Sequence, residues 1–172
     1  MATRTGIGRI SGNSDVARFD QRGVVKAFRC AAETMDNRDR LLERIGDINN
    51  FELPRPLVSL ELFFDGNDDW GSIGYNLPDQ IAPQQFREIL QTIRDRNDVA
   101  DVLIEVKDLE DPDGWPSADT IWVVTSLQRD KLNELIPDNI KPDDWLPYPP
   151  ESGAIESLNI PDDLQAFGIW YD

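Results

Sequence analysis

In 172 residues this chain contains no histidine and sets 33 aspartates and glutamates against 17 lysines and arginines, a net charge of −16. Without an imidazole, histidine-based triads, the usual catalytic zinc sites and histidine pH switches are excluded, and so much acidity disfavours DNA, RNA and anionic membrane surfaces. A hydrophobic content of 40% fills one core of this size, the sole cysteine, Cys30, cannot close an internal disulfide, and no apolar run follows Met1 or reaches bilayer length, so a single cytoplasmic domain is expected.

The charge is unevenly spread. Residues 1–44 hold nine basic and six acidic residues, a net of +3, whereas residues 45–172 carry a net of −19. Opposite fields attract, so the basic N-terminal part is expected to fold back over the acidic body, the alternative being that it reaches toward an acidic partner. Most of the acidity is Asp (23 against 10 Glu) and Arg outnumbers Lys (13 against 4), a bias that salt adaptation or a GC-rich source also produces.

In chain order, residues 1–25 read as a basic arm with one short strand near Val24 and Val25. Phe28, Ala31, Met35, Leu42 and Ile45 then recur at helical steps and predict an amphipathic helix over 30–48. Leu53-Pro54-Arg55-Pro56 breaks it. From Leu57 the period becomes two, with Val58, Leu60, Leu62 and Phe64 on one side, which predicts a strand. The acidic run Asp65 to Asp69 follows as a turn, Ile73, Tyr75 and Leu77 alternate as a return strand, and the pair reads as a β-hairpin. Beyond Pro83, Phe86, Ile89, Leu90 and Ile93 mark a helix with proline in its first turn.

The same order recurs. Val102, Ile104 and Val106 form a strand, residues 108–114 a second acidic turn, Ile121 and Val123 a return strand, and Leu132, Leu135 and Ile136 a helix that ends at Pro137. Trp70 and Ser72 reappear as Trp115 and Ser117, 45 residues on. An internal duplication of two ββα-like units explains this spacing, and so does convergence on one way of closing a hairpin. Either way the expected fold is α+β, an antiparallel sheet of four or more strands with helices packed on one face. The core spans 26–136. The tail from 137 to 172 has six of the twelve prolines and a net charge of −7; its Trp145 to Pro150 run should be extended and lie across its own domain through Trp145 and Tyr148, or else dock in a partner's groove. Phe167, Ile169, Trp170 and Tyr171 read as a last strand or a docking terminus.

Candidate chemistry concentrates in the two acidic loops. Asp65, Asn67 and Asp69 have the alternating oxygen spacing with which calcium loops begin, but the match fails at Trp70, where glycine should stand, and at Asn76, where glutamate should. Asp, Gly and Asn also suit a turn that holds no metal. If both hairpins end at one rim, Asp65, Asp68, Asp69, Asp108, Glu110, Asp111 and Asp113 gather there. Such carboxylates can bind Mg²⁺ or Mn²⁺ for hydrolysis, or act as an acid and base pair for glycoside cleavage, yet the loops supply almost no groups to orient a substrate. No phosphate-binding glycine loop is present, and Cys30 reads as a small buried hydrophobe.

A dense negative face bordered by Trp70 and Trp115 suits recognition of a basic protein, combining electrostatic steering with aromatic anchors. In composition and size the chain resembles immunity proteins and inhibitors that cover a toxin's basic active site, and nucleic-acid mimics; no motif carries that likeness. The expected function is a non-enzymatic protein-binding module that needs no cofactor, with Asp65, Asp68, Asp69, Trp70, Asp108, Asp111, Asp113 and Trp115 as its binding residues. The alternative is a carboxylate-metal hydrolase using Asp65, Asn67 and Asp69.

Overall fold

The computed structural model describes residues 35–50, 52–147 and 158–172. The predicted basic arm, Cys30, the start of the predicted 30–48 helix and Tyr148 to Pro150 lie outside the described residues. In chain order the elements are α1 (Asn37–Ile45), β1 (Leu57–Ser59), α2 (Leu60–Phe64), α3 (Pro83–Arg94), β2 (Val99–Asp108), β3 (Ser117–Thr125), α4 (Arg129–Leu135), a 3-10 turn (Asp138–Ile140), β4 (Asp144–Leu146) and β5 (Gln165–Trp170). The strands form one five-stranded sheet in the order β1-β2-β3-β5-β4, antiparallel throughout. This is the α+β class that the mixed periodicities predict.

Among the described residues all four helices pack on one face. Leu41 of α1, Leu60 and Phe63 of α2, Phe86, Leu90 and Ile93 of α3 and Leu132 of α4 join Val102, Ile104, Ile121, Val123 and Ile169 in one apolar cluster. Side chains alternate across a strand, so the intervening residues point the other way. There Leu57, Leu103, Trp122, Val124 and Ala166 form a second cluster, against which Leu146, Leu158, Ile160 and Leu164 pack. Both faces being apolar, nearly every residue of β3 is buried. Opposite Glu105 and Val106 the register skips Asp119, a bulge that adds one residue to β3.

The first predicted hairpin is absent. After three residues of β1 the chain turns into α2, because Ser59 caps the new helix with its hydroxyl accepting from the Leu62 amide at 3.3 Å. Leu60, Phe63 and Phe64 then face inward at helical spacing, and Leu62 is only half-buried. The predicted return strand through Ile73, Tyr75 and Leu77 reduces to a single parallel bridge from Ile73 to Ala118. Gly74 shows why: its φ is +63°, and a Cβ there would lie 2.7 Å from Leu77 Cδ1 and 2.9 Å from Phe86 Cε2. Only the second predicted unit, β2, β3 and α4, is ββα. Nor are the paired residues equivalent: Trp70 is exposed and Ser72 buried, whereas Trp115 is half-buried and Ser117 begins β3.

Other elements match in kind and differ in extent. The first helix ends at Gly46, short of residue 48. Trp145 lies on β4 and meets Phe167 edge to face at 6.3 Å, so this part of the tail packs on its own domain as a strand, not as polyproline II. The last predicted strand is β5, inserted between β3 and β4.

Candidate functional site

The irregular segment between α2 and α3 meets the β2–β3 turn through Asp69. One carboxylate oxygen of Asp69 accepts from the Gly71 amide at 2.9 Å, and the other accepts from the Trp115 amide at 3.3 Å. A second tie runs from the Ala118 amide to the Ser72 carbonyl at 2.8 Å. Beneath them Asn67 is 1% exposed; its Nδ2 donates to Ser72 Oγ at 3.0 Å and its Oδ1 accepts from the Asp69 amide at 3.1 Å. Gln84 on α3 donates to the carbonyls of Phe64 at 2.7 Å and Asn67 at 2.8 Å. Apart from its one bridge to β3 the segment has no strand partners, so side-chain amides satisfy much of its backbone.

The β2–β3 turn is held differently. Asp111 Oδ1 accepts from the Asp113 amide at 2.9 Å, the Gly114 amide donates to the Asp111 carbonyl at 3.0 Å, and Asp108 accepts from the Ser117 hydroxyl. Arg38 of α1 donates to the Gly114 carbonyl at 2.6 Å and also to that of Pro112. Arg38 thus ties α1 to two backbone carbonyls of the turn, while the predicted fold-back of the basic arm lies outside the described residues.

Between the two loops lies a cleft of about 450 Å³, bordered by Asp69 and Tyr75 on one side, Glu110, Asp111 and Trp115 on the other, and Tyr171 beyond the end of β5. At its base Lys107 pairs with Asp119 at 3.5 Å, and Arg55 approaches the same carboxylate at 3.3 Å. The Trp115 indole nitrogen is shielded from solvent and has no hydrogen-bond acceptor among the described residues. Tyr171 donates its hydroxyl to the Ile140 carbonyl at 3.0 Å, and burial pushes its pKa well above the ordinary value.

Of the predicted rim, the structure brings Asp69, Asp111 and Trp115 together, with Glu110 beside them. Asp68, Trp70 and Asp113 are exposed and flank the cleft in sequence without lining it, and Asp108 sits at the base of the turn. Asp65 is a correction: it turns to α3, where Arg87 meets it at 2.7 Å, and lines a separate groove against α1. The proposed cation ligands Asp65, Asn67 and Asp69 do not converge, since each already serves a different partner inside the chain. Among the described residues no group of three or more acidic or cysteine side chains is placed to hold a metal ion.

Sequence reading missed three groups. Tyr75 was assigned to a strand yet is 68% exposed, and Tyr171 and Lys107 line the cleft. A charged cluster also sits on the sheet face away from the helices: Glu105 is 9% exposed and accepts from Trp122 Nε1 at 2.7 Å, with Arg55 at 3.9 Å. Burial raises the Glu105 pKa above the ordinary carboxylate value, while the Trp122 bond and Arg55 oppose that rise. The available signal was a glutamate standing in the middle of an apolar strand. Elsewhere Arg94 holds Glu61 at about 2 through direct hydrogen bonds, one at 3.0 Å. Among the described residues no helix is long and apolar enough to cross a membrane.

The family described as the uncharacterized protein YfbO family matches residues 36–169, and the chain belongs to it. It is 36% identical over 127 residues to the uncharacterized protein YfbO of Escherichia coli strain K12, a stretch covering 74% of this chain and 90% of that protein. No solved structure matches.

Proposed function

We propose that this member of the YfbO family is a non-enzymatic module that binds a basic protein with the surface formed by its two acidic loops, in the manner of an inhibitor or immunity factor. The observation that carries it is the Asp69 junction, which joins the β2–β3 turn to the segment bearing Trp70 and Tyr75. Trp70 is 52% exposed and Tyr75 68%, so two large rings stand in water beside carboxylates. Aromatic anchors rimmed by charge are how small interfaces reach useful affinity, since the rings contribute buried area and the charges speed encounter.

The test uses residues that hold nothing inside the fold. Among the described residues Asp68 and Glu110 have no hydrogen bond or ion pair and Trp70 is exposed, so Asp68→Asn, Glu110→Gln and Trp70→Ala together should leave stability unchanged. Changing Asp65 or Asp69 would instead disturb Arg87 or the loop junction. Capture from a native lysate of the source cell should give a basic protein that the full chain retains, that raised salt releases and that the triple variant fails to retain. Equal retention by both chains, or nothing salt-sensitive on either, would overturn the proposal.

A further inference from the structure

We infer that the cleft between the 69–76 segment and the β2–β3 turn seats an arginine side chain of that basic partner. The inference rests on the protein-binding reading and specifies what the partner presents. Three residues around the cleft, Tyr75, Trp115 and Tyr171, are aromatic, and Tyr75 is the most exposed large apolar residue of the four that stand out. A planar cation suits such surroundings because it stacks on a ring while its edge meets a carboxylate; an ammonium is more strongly hydrated and cannot fork.

The carboxylates available to the visitor are on the turn side and at Asp172, which also lines the cleft. Both Asp69 oxygens already hold amides, and Asp119 holds Arg55 and Lys107. The cleft's own cation, Lys107, is thus compensated locally. Asp111 has one oxygen engaged by the Asp113 amide, and Glu110 is exposed without a partner among the described residues. The backbone of the same turn is already adapted to a guanidinium: its Pro112 and Gly114 carbonyls accept from Arg38, which does not line the cleft. With those carbonyls turned to α1, the side chains of Glu110 and Asp111 are what the turn offers to the cleft. Charge complementarity and an exposed ring select the same occupant.

The full chain, labelled with ¹⁵N, is titrated with N-acetyl-arginine methylamide, and with the lysine and citrulline counterparts as controls. The arginine probe should shift the amides of Gly71 and Gly114 and the Trp115 indole saturably, the citrulline probe should not, and lysine should bind several-fold more weakly. Tyr75→Ala should weaken the arginine response by about two- to fivefold, the scale of one cation–π contact, and Glu110→Gln should weaken it further. Both residues are exposed, so both variants should fold. Absence of an arginine-specific shift, or a shift unchanged in Tyr75→Ala, overturns the inference. Retention of a basic protein by the Tyr75→Ala, Glu110→Gln chain at full strength overturns the arginine seat while leaving the protein-binding reading standing; loss of all capture by the unmodified chain removes the reading itself.

Discussion

The two acidic loops, 65–69 and 108–114, look alike in sequence and are built in opposite ways. The second closes a true hairpin, with β2 and β3 paired along their length and only a short turn left to organise. The first leaves a five-residue helix and runs without strand partners except for one bridge, so a buried Asn67 and Gln84 of α3 take over backbone groups there. A hairpin turn can lose a side chain cheaply. A loop held by side-chain amides cannot, and that asymmetry leads to distinct predictions.

The largest effect separates helix from strand at residues 60–64. Phe63→Ala should lower the unfolding free energy by about 3–5 kcal/mol, because Phe63 is 0% exposed, whereas Leu62→Ala should cost well under half as much. Chemical denaturation of the two variants checks this; the opposite order would restore the strand, in which Leu62 faces in and Phe63 out.

Next comes the comparison of the loops themselves. Asn67→Ala removes partners of the Ser72 hydroxyl and the Asp69 amide inside the protein and should cost about 2–3 kcal/mol, while Asp113→Ala on the exposed turn should stay within about 0.5 kcal/mol. Thermal or denaturant melts decide it, and equal costs would mean that both loops are held alike.

The smallest effects are electrostatic and have opposite signs. Glu61 has its pKa lowered to about 2 by Arg94, so its contribution is present above the unfolded value of 4.5 and fades as pH falls toward 2. The pair is half exposed, so Glu61→Gln should cost less than about 1 kcal/mol at pH 7, and the cost should vanish in acid. Glu105 is raised by burial, so its contribution is full below 4.5 and is lost as pH rises through its folded value. Glu105→Gln keeps an acceptor for Trp122 Nε1 and should therefore not lower stability at pH 7. Melting curves across pH for both variants test the two signs.

These contrasts also explain what could be read in advance. Long periodic stretches decided correctly: Phe86, Leu90 and Ile93 mark α3, and Val102, Ile104 and Val106 the inner face of β2. Residues 57–64 misled because Leu60, Leu62 and Phe64 satisfy a period of two while Leu60, Phe63 and Phe64 satisfy a helical one; the structure buries Phe63, and the Ser59 hydroxyl caps the resulting helix. The place of β5 between β3 and β4 depends on pairings across tens of residues and leaves no local trace. For the site, Asp69, Asp111 and Trp115 do converge, through a side-chain bridge from Asp69 to the Trp115 amide and not through neighbouring hairpins. Tyr75 was hidden because an alternating Ile73, Tyr75 and Leu77 imitates a strand.

That bridge makes the two loops one surface, and the most direct test is hydrogen exchange on the complex with whichever basic protein the unmodified chain captures and the triple variant does not. Peptides covering 67–76 and 108–117 should slow together when the partner binds. Slowing at only one of them, or on α3 with both loops unchanged, would contradict the account.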